Sequence, residues 1–182
     1  MKLAILSILL GAVLAASAAP ARIILIRHAE KPAEERDVHL SEKGRDRAER
    51  VVKWLSEGQV LGTNGAPAAL YASAPTAKGR SVRCVETLEP TARRLGLTIR
   101  VPRSADDYAR LAHELLKDDS LRGKNVVVCW VHDYLPQFAA ALGVKPEPRK
   151  WKGEDFDTAY VITFPDGKAS LEYADEKLKK KK

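Results

Sequence analysis

The sequence predicts an α/β fold, a three-layer α/β/α sandwich around a mostly parallel central sheet. Three observations point there. Short runs rich in Val, Ile and Leu alternate along the chain with longer stretches of helical periodicity, as in Arg22–Ile26 followed by Ser41–Glu57. The runs Arg22–Ile26 and Val126–Val131 are apolar throughout instead of alternating, the pattern of strands covered on both faces. No repeat and no long linker divides the chain of 182 residues, a length suited to one domain with a substantial core.

The elements follow in order. Arg22–Ile26 is the first strand. Ser41 caps a helix to Glu57, with Ala48, Val51, Val52 and Leu55 on its inner face and Gly58 as its stop. Ala68–Ser73 is a short strand. Gly79–Leu95 reads as helix, bent or divided at Pro90. Leu97–Val101 is a strand, and Ser104-x-x-Asp107 opens a helix to Lys117 as a capping box. Val126–Val131 is a buried strand. Tyr134–Leu142 is helical and stops at Gly143, and Thr158–Phe164 with Lys168–Tyr173 form a hairpin across Pro165-Asp166-Gly167. Trp151–Asp157 reads as a structural lead into that hairpin.

Composition narrows the function. There are 31 Lys and Arg against 24 Asp and Glu, a net charge of +7. Five of the lysines (Lys177, Lys179, Lys180, Lys181 and Lys182) stand in the last six residues and one, Lys2, in the leader; setting these aside leaves 25 basic against 24 acidic residues. The body is nearly neutral, so no nucleic acid is expected as partner. Residues 177–182 read as a solvated lysine-rich tail, or as a weak contact for an anionic surface. Residues 1–18 read as a signal peptide: Lys2, the apolar run Leu3–Ala15 and the small-x-small site Ala16-Ser17-Ala18. The remainder, 19–176, is the expected domain, periplasmic or secreted, and not membrane-spanning once the signal is cleaved. Cys84 and Cys129 permit one disulfide in an oxidising compartment; the apolar setting of Cys129 equally suits two buried thiols.

The chemistry is expected where two strands end alike. Arg22–Ile26 runs into Arg27-His28, and Val126–Val131 runs into His132-Asp133. Ligands of open α/β sheets bind beyond the carboxyl ends of the strands, and adjacent strands lie about 4.8 Å apart, so neighbours would set both imidazoles at one small group. His39 and His113 read as surface or packing residues. Two imidazoles and an arginine, without clustered carboxylates or thiols, suit a phosphoryl group: the guanidinium binds its oxygens and a neutral imidazole attacks phosphorus. Arg83, in Ser81-Val82-Arg83-Cys84-Val85-Glu86-Thr87, supplies a second basic arm. The His28/Glu30 pair lacks further ligands at metal-binding spacing, so neither a metal nor another cofactor is expected.

These residues resemble the histidine phosphatase superfamily, the phosphoglycerate-mutase-like and acid-phosphatase-like enzymes. Arg27-His28-Ala29-Glu30 is similar to the first motif, Leu40-Ser41-x-x-Gly44-x-x-x-Ala48 to the helix after it, Ser73 with Arg83-x-x-x-Thr87 to the second arginine motif, and His132 to the second histidine. The resemblance implies a phosphoglycerate mutase-like fold, His28 as the nucleophile that becomes phosphorylated, and Arg27, Arg83 and His132 as ligands of the phosphoryl oxygens. It makes Asp133 the first choice of general acid, with Glu30, Asp106 or Asp107 as alternatives, and Lys31 a rim residue. Two departures stand out: Ala29 replaces the usual Gly, and Lys78, Gly79 and Arg80 lengthen the stretch between Ser73-Ala74-Pro75 and Arg83. Lys78 or Arg80 is thereby a further candidate for substrate binding.

The expected activity is a metal-independent phosphatase acting on a small-molecule or envelope phosphomonoester. The alternatives are a phosphomutase of the same chemistry and a non-catalytic phosphate-binding envelope protein. No large helical insertion is present to roof the pocket, and nothing in the sequence speaks to oligomeric state.

Overall fold

The computed structural model describes residues 19–34, 37–57, 59–76 and 81–177. Residues 1–18, read above as a signal peptide, Lys78, Gly79 and Arg80, and residues 178–182 of the lysine tail lie outside these residues. Ten principal elements follow one another: β1 (Arg22–Arg27), α1 (Glu42–Glu57), β2 (Ala69–Ala72), α2 (Arg83–Leu95), β3 (Ile99–Arg100), α3 (Tyr108–Lys117), β4 (Asn125–Trp130), α4 (Leu135–Ala141), β5 (Thr158–Thr163) and β6 (Ser170–Asp175).

The six strands form one sheet in the order β3-β2-β4-β1-β5-β6. The pairs β2–β3, β2–β4 and β1–β4 are parallel; β1–β5 and β5–β6 are antiparallel. Successive side chains of a strand point to opposite faces, and the core divides accordingly. Ile23, Leu25, Val126 and Val128 pack with Leu111, Leu115 and Phe138 of α3 and α4. Ile24, Ile26 and Val127 pack with Val51, Trp54 and Leu88 of α1 and α2. All four apolar side chains Ile23–Ile26 are fully buried, each contributing about 1.5–3 kcal/mol. This is the expected three-layer sandwich.

Topology places a crevice. The chain leaving β1 turns to the α1/α2 face, whereas the chain leaving its neighbour β4 turns to the α3/α4 face. The connections therefore diverge between the carboxyl ends of β1 and β4, the switch point at which open sheets bind ligands.

Two local expectations are corrected, and the choice left open for the cysteines falls to the buried thiols. The Ser104-x-x-Asp107 capping box does not form: the Ser104 hydroxyl donates to Asp106 Oδ1 at 2.6 Å, and a 3-10 turn, Ala105–Asp107, precedes α3. Helix α2 is not divided; it starts at Arg83, after the non-helical Ser81 and Val82, and runs through Pro90, which is buried. Cys84 and Cys129 are free, buried thiols facing each other from α2 and β4, and no bridge joins them. Ser41 does cap α1, its Oγ accepting from the Gly44 amide at 3.0 Å.

Candidate active site

Arg27 is the last residue of β1 and pairs with Trp130, the last of β4. The His28 amide continues the ladder to the Trp130 carbonyl at 3.3 Å, and His132 follows two residues beyond. The two rings thus meet at one end of the sheet, their centroids 6.2 Å apart and their planes at 82°. The adjacency inferred from the two strand endings is present.

His28 is 6% exposed. Its Nδ1 lies 2.8 Å from the Ala29 carbonyl oxygen, an acceptor only, so Nδ1 carries the proton and donates. Nε2 is left with its lone pair. Burial, reinforced by the charges of Arg27 and Arg83, lowers the His28 pKa to about 3. The ring is neutral at any ordinary working pH, as a nitrogen nucleophile must be. Burial and Arg27 also lower the His132 pKa, so His132 is neutral at neutral pH in the free site. Asp133 is exposed, its Oδ1 3.5 Å from His132 Nε2.

Arg83 opens α2, and Thr87 ties it to the nucleophile's turn. The Thr87 hydroxyl donates to the Arg83 carbonyl at 2.7 Å and accepts from the Ala29 amide at 2.9 Å. Arg83 Nη2 donates to the Asp37 carbonyl at 3.2 Å. Glu86 braces the same loop, accepting from the Leu40 amide at 2.8 Å and pairing with exposed His39 at 2.5 Å. Gly44 belongs to this frame: a Cβ there would stand 2.3 Å from the Glu30 carbonyl oxygen, so only glycine lets α1 approach so closely.

The segment Trp151–Asp157 does more than lead into the β5–β6 hairpin. Arg27 Nη1 donates to the carbonyls of Gly153 (2.6 Å), Asp155 (3.0 Å) and Lys152 (3.4 Å). The Phe156 ring covers the guanidinium at 3.7 Å and stands 6.5 Å from the His28 ring. Nη1 is committed to the loop, which leaves the opposite Nε/Nη2 edge, whose Nε is buried without a partner. That edge offers two parallel N–H groups, the fork that binds an oxyanion. Burial, with Arg47 behind it, lowers the Arg27 pKa to about 10, and the group keeps its charge. Among the described residues the buried nitrogens without a hydrogen-bond partner are Arg27 Nε, Arg83 Nε and His132 Nδ1 at the expected site and Arg47 Nε behind it. A phosphoryl group is the kind of acceptor the first three fit.

The alternative acids are differently placed. Glu30 lies within 3.2 Å of Lys43 Nζ and is mostly buried. Asp106 is held below its ordinary pKa by the Ser104 hydroxyl, and Asp107 lies 3.7 Å from Arg103. Lys31 is close enough for its charge to be felt at His132. No three His, Cys, Asp or Glu side chains come together as a metal nest among the described residues.

No known family model and no curated protein matches this chain. Solved structures do. The protein histidine phosphatase SixA, complexed with tungstate, superimposes with a TM-score of 0.61 at 15% identity, over 85% of this chain and 97% of that one. The fold is shared with that phosphatase. A mycobacterial glucosyl-3-phosphoglycerate phosphatase complexed with inorganic phosphate shares this fold (TM-score 0.58, 18% identity, 84% of this chain and 95% of that one). So does a phosphoserine phosphatase from Entamoeba histolytica complexed with 3-phosphoglyceric acid (TM-score 0.55, 15% identity, 84% and 95%). The histidine-phosphatase fold accounts for the phosphoglycerate mutase-like architecture expected from the motifs.

Proposed function

We propose that the protein is a phosphatase that hydrolyses a phosphomonoester through a phosphohistidine on His28, without a metal ion. One observation carries the reading: a buried, neutral imidazole whose Nδ1–H is committed to the Ala29 carbonyl, beside His132 and within the field of Arg27 and Arg83. A ring in that state keeps its Nε2 lone pair free to attack an electrophile held by cations. The solved neighbours, phosphatases by name, support it.

In the first step the Nε2–P bond forms as the bond from phosphorus to the leaving oxygen breaks. The Nε/Nη2 edge of Arg27, together with Arg83 and His132, holds the equatorial oxygens and stabilises their charge, which supplies most of the catalysis in phosphoryl transfer. Asp133 gives its proton to the leaving oxygen. In the second step water attacks phosphorus, the N–P bond breaks, and Asp133 takes the water proton. Asp133 suits the role because it is exposed beside His132 and has no cationic partner as close as that of Glu30. Lys31 and Phe156 border the place where the leaving group stands.

The leader motif at residues 1–18 supports a periplasmic or secreted enzyme, and with it a small or envelope-derived phosphoester as substrate. A phosphoester panel run with EDTA on the purified protein tests the activity. His28→Ala lowers turnover at least about a thousandfold and abolishes an acid-labile, base-stable phosphoenzyme. Wild-type turnover in that variant refutes the nucleophile, and loss of activity in EDTA refutes metal independence.

A further inference from the structure

One buried group has no part in this chemistry. Arg47 of α1 and Glu176, the residue after β6, form an ion pair with Nη2 2.7 Å from Oε1, their side chains 2% and 4% exposed. Removing two charges from water costs several kcal/mol for each, and apolar pairs of similar volume commonly stabilise a fold as well or better. Stability is therefore a poor reason for the pair. Its connections supply another.

Arg47 Nη1 donates to the Arg27 carbonyl at 3.1 Å, the peptide that leads into His28. The Glu176 amide donates to the Asp157 carbonyl at 2.7 Å, at the end of the segment whose carbonyls hold Arg27 Nη1. The Lys177 ammonium, 2.7 Å from Asp157 Oδ2, fastens the same point from outside. Residue 176 thus reaches Arg27 by two routes: its carboxylate acts on the main chain through Arg47, and its backbone amide, which a side-chain substitution leaves in place, acts on the guanidinium through the loop.

We infer that Glu176 is a positioning residue: acting through Arg47 and through the Asp157 end of the loop, it sets the Arg27–His28 turn, so that the segment after the last strand completes the catalytic site. The groups facing its carboxylate are Arg47 from α1, Asp157 from the loop and Glu30 from the turn after β1, with Lys177 next in the chain. Burial dominates them and pushes the Glu176 pKa up to about 7, against the pull of Arg47 and with the push of Asp157 and Glu30. Above about pH 7 the carboxylate is charged and holds Arg47; below it, protonation removes the counter-ion and loosens the turn.

The kinetic arm of the test rests on the phosphatase reading, and the spectroscopic arm does not. In Glu176→Gln the carboxylate is replaced by an amide of the same shape. With an aryl phosphate, kcat falls about tenfold to a hundredfold with little change in KM, and the acid limb of kcat near pH 7 is lost. The Arg27 Nε–H resonance, followed by ¹⁵N NMR from pH 6 to 8, moves in the wild type and stands still in the variant. Arg47→Met/Glu176→Leu leaves no buried charge unpaired and secures a folded comparison; it shows the same fall in kcat at undiminished thermal stability. An Arg27 signal indifferent to pH and to both variants overturns the inference. A signal that responds in a wild type without phosphatase activity upholds it and overturns the phosphatase reading instead.

Discussion

Replacing His28 with Gln changes how stability depends on pH, by an amount that follows from the site. In the folded protein the His28 pKa is lowered to about 3 from the usual 6.5, chiefly by burial. The unfolded chain takes up a proton there below pH 6.5, and the folded chain does not. The neutral ring therefore contributes stability that is complete above pH 6.5 and is lost progressively as pH falls toward 3. Each pH unit within that window costs about 1.4 kcal/mol, so at pH 5 the wild type has lost about 2 kcal/mol on account of this residue alone. Glutamine titrates nowhere in the window. Urea denaturation of both proteins at pH 7 and pH 5 gives the difference directly: the stability of His28→Gln relative to wild type improves by about 2 kcal/mol between the two. Other carboxyl and imidazole groups cancel in the comparison. Parallel curves, with the same difference at both pH values, refute a neutral buried nucleophile and with it the attack through Nε2.

Other outcomes follow from particular contacts. Asp133→Asn slows alkyl phosphates far more than nitrophenyl phosphate, whose leaving group needs little help from an acid; equal slowing of both removes Asp133 from the role. Gly44→Ala places a methyl group against the Glu30 carbonyl, 2.3 Å away, and lowers stability by about 1–3 kcal/mol, measured as a fall in Tm; an unchanged Tm contradicts the close approach. Phe156→Ala uncovers Arg27 and removes a cation–π contact of about 1–2 kcal/mol, weakening competitive inhibition by inorganic phosphate roughly fivefold to thirtyfold; an unaltered inhibition constant shows that the loop does not hold Arg27 for the ligand. A thiol reagent modifies neither Cys84 nor Cys129 in the native protein and both in urea, since both are buried and free; rapid reaction of either in the native state contradicts this packing.

Much of the site was legible because strand endings are local signals. The uniform apolar runs before Arg27-His28 and His132-Asp133 locate both imidazoles, and the five residues Arg83-x-x-x-Thr87 contain the hydroxyl that accepts from the Ala29 amide. The loop that holds Arg27 was not legible. It works through the carbonyls of Lys152, Gly153 and Asp155, and a carbonyl is the same in every residue. The available hints were Trp151 and Phe156, two aromatic rings in an otherwise polar stretch. The Arg47–Glu176 pair was hidden for a different reason: the partners lie 129 positions apart, and each looks like one more charge on a solvated surface. The capping box at Ser104 failed because Asp106, one residue nearer than Asp107, competes for the same hydroxyl. Side chains that can bond in several local ways leave such choices to geometry.

The two borders of the sheet are built differently, and both discourage recruitment of foreign chains. On one side β3 contributes only Ile99 and Arg100, too short a ledge to template another polypeptide. On the other, β6 is largely solvent-facing and carries Glu172 and Asp175 along its length. Unpaired amide and carbonyl rows are the usual starting points of fibrillar aggregation, and brevity and charge are the usual safeguards. Brevity guards the β3 border and charge the β6 border, where the exposed Tyr173 ring stands between Glu172 and Asp175.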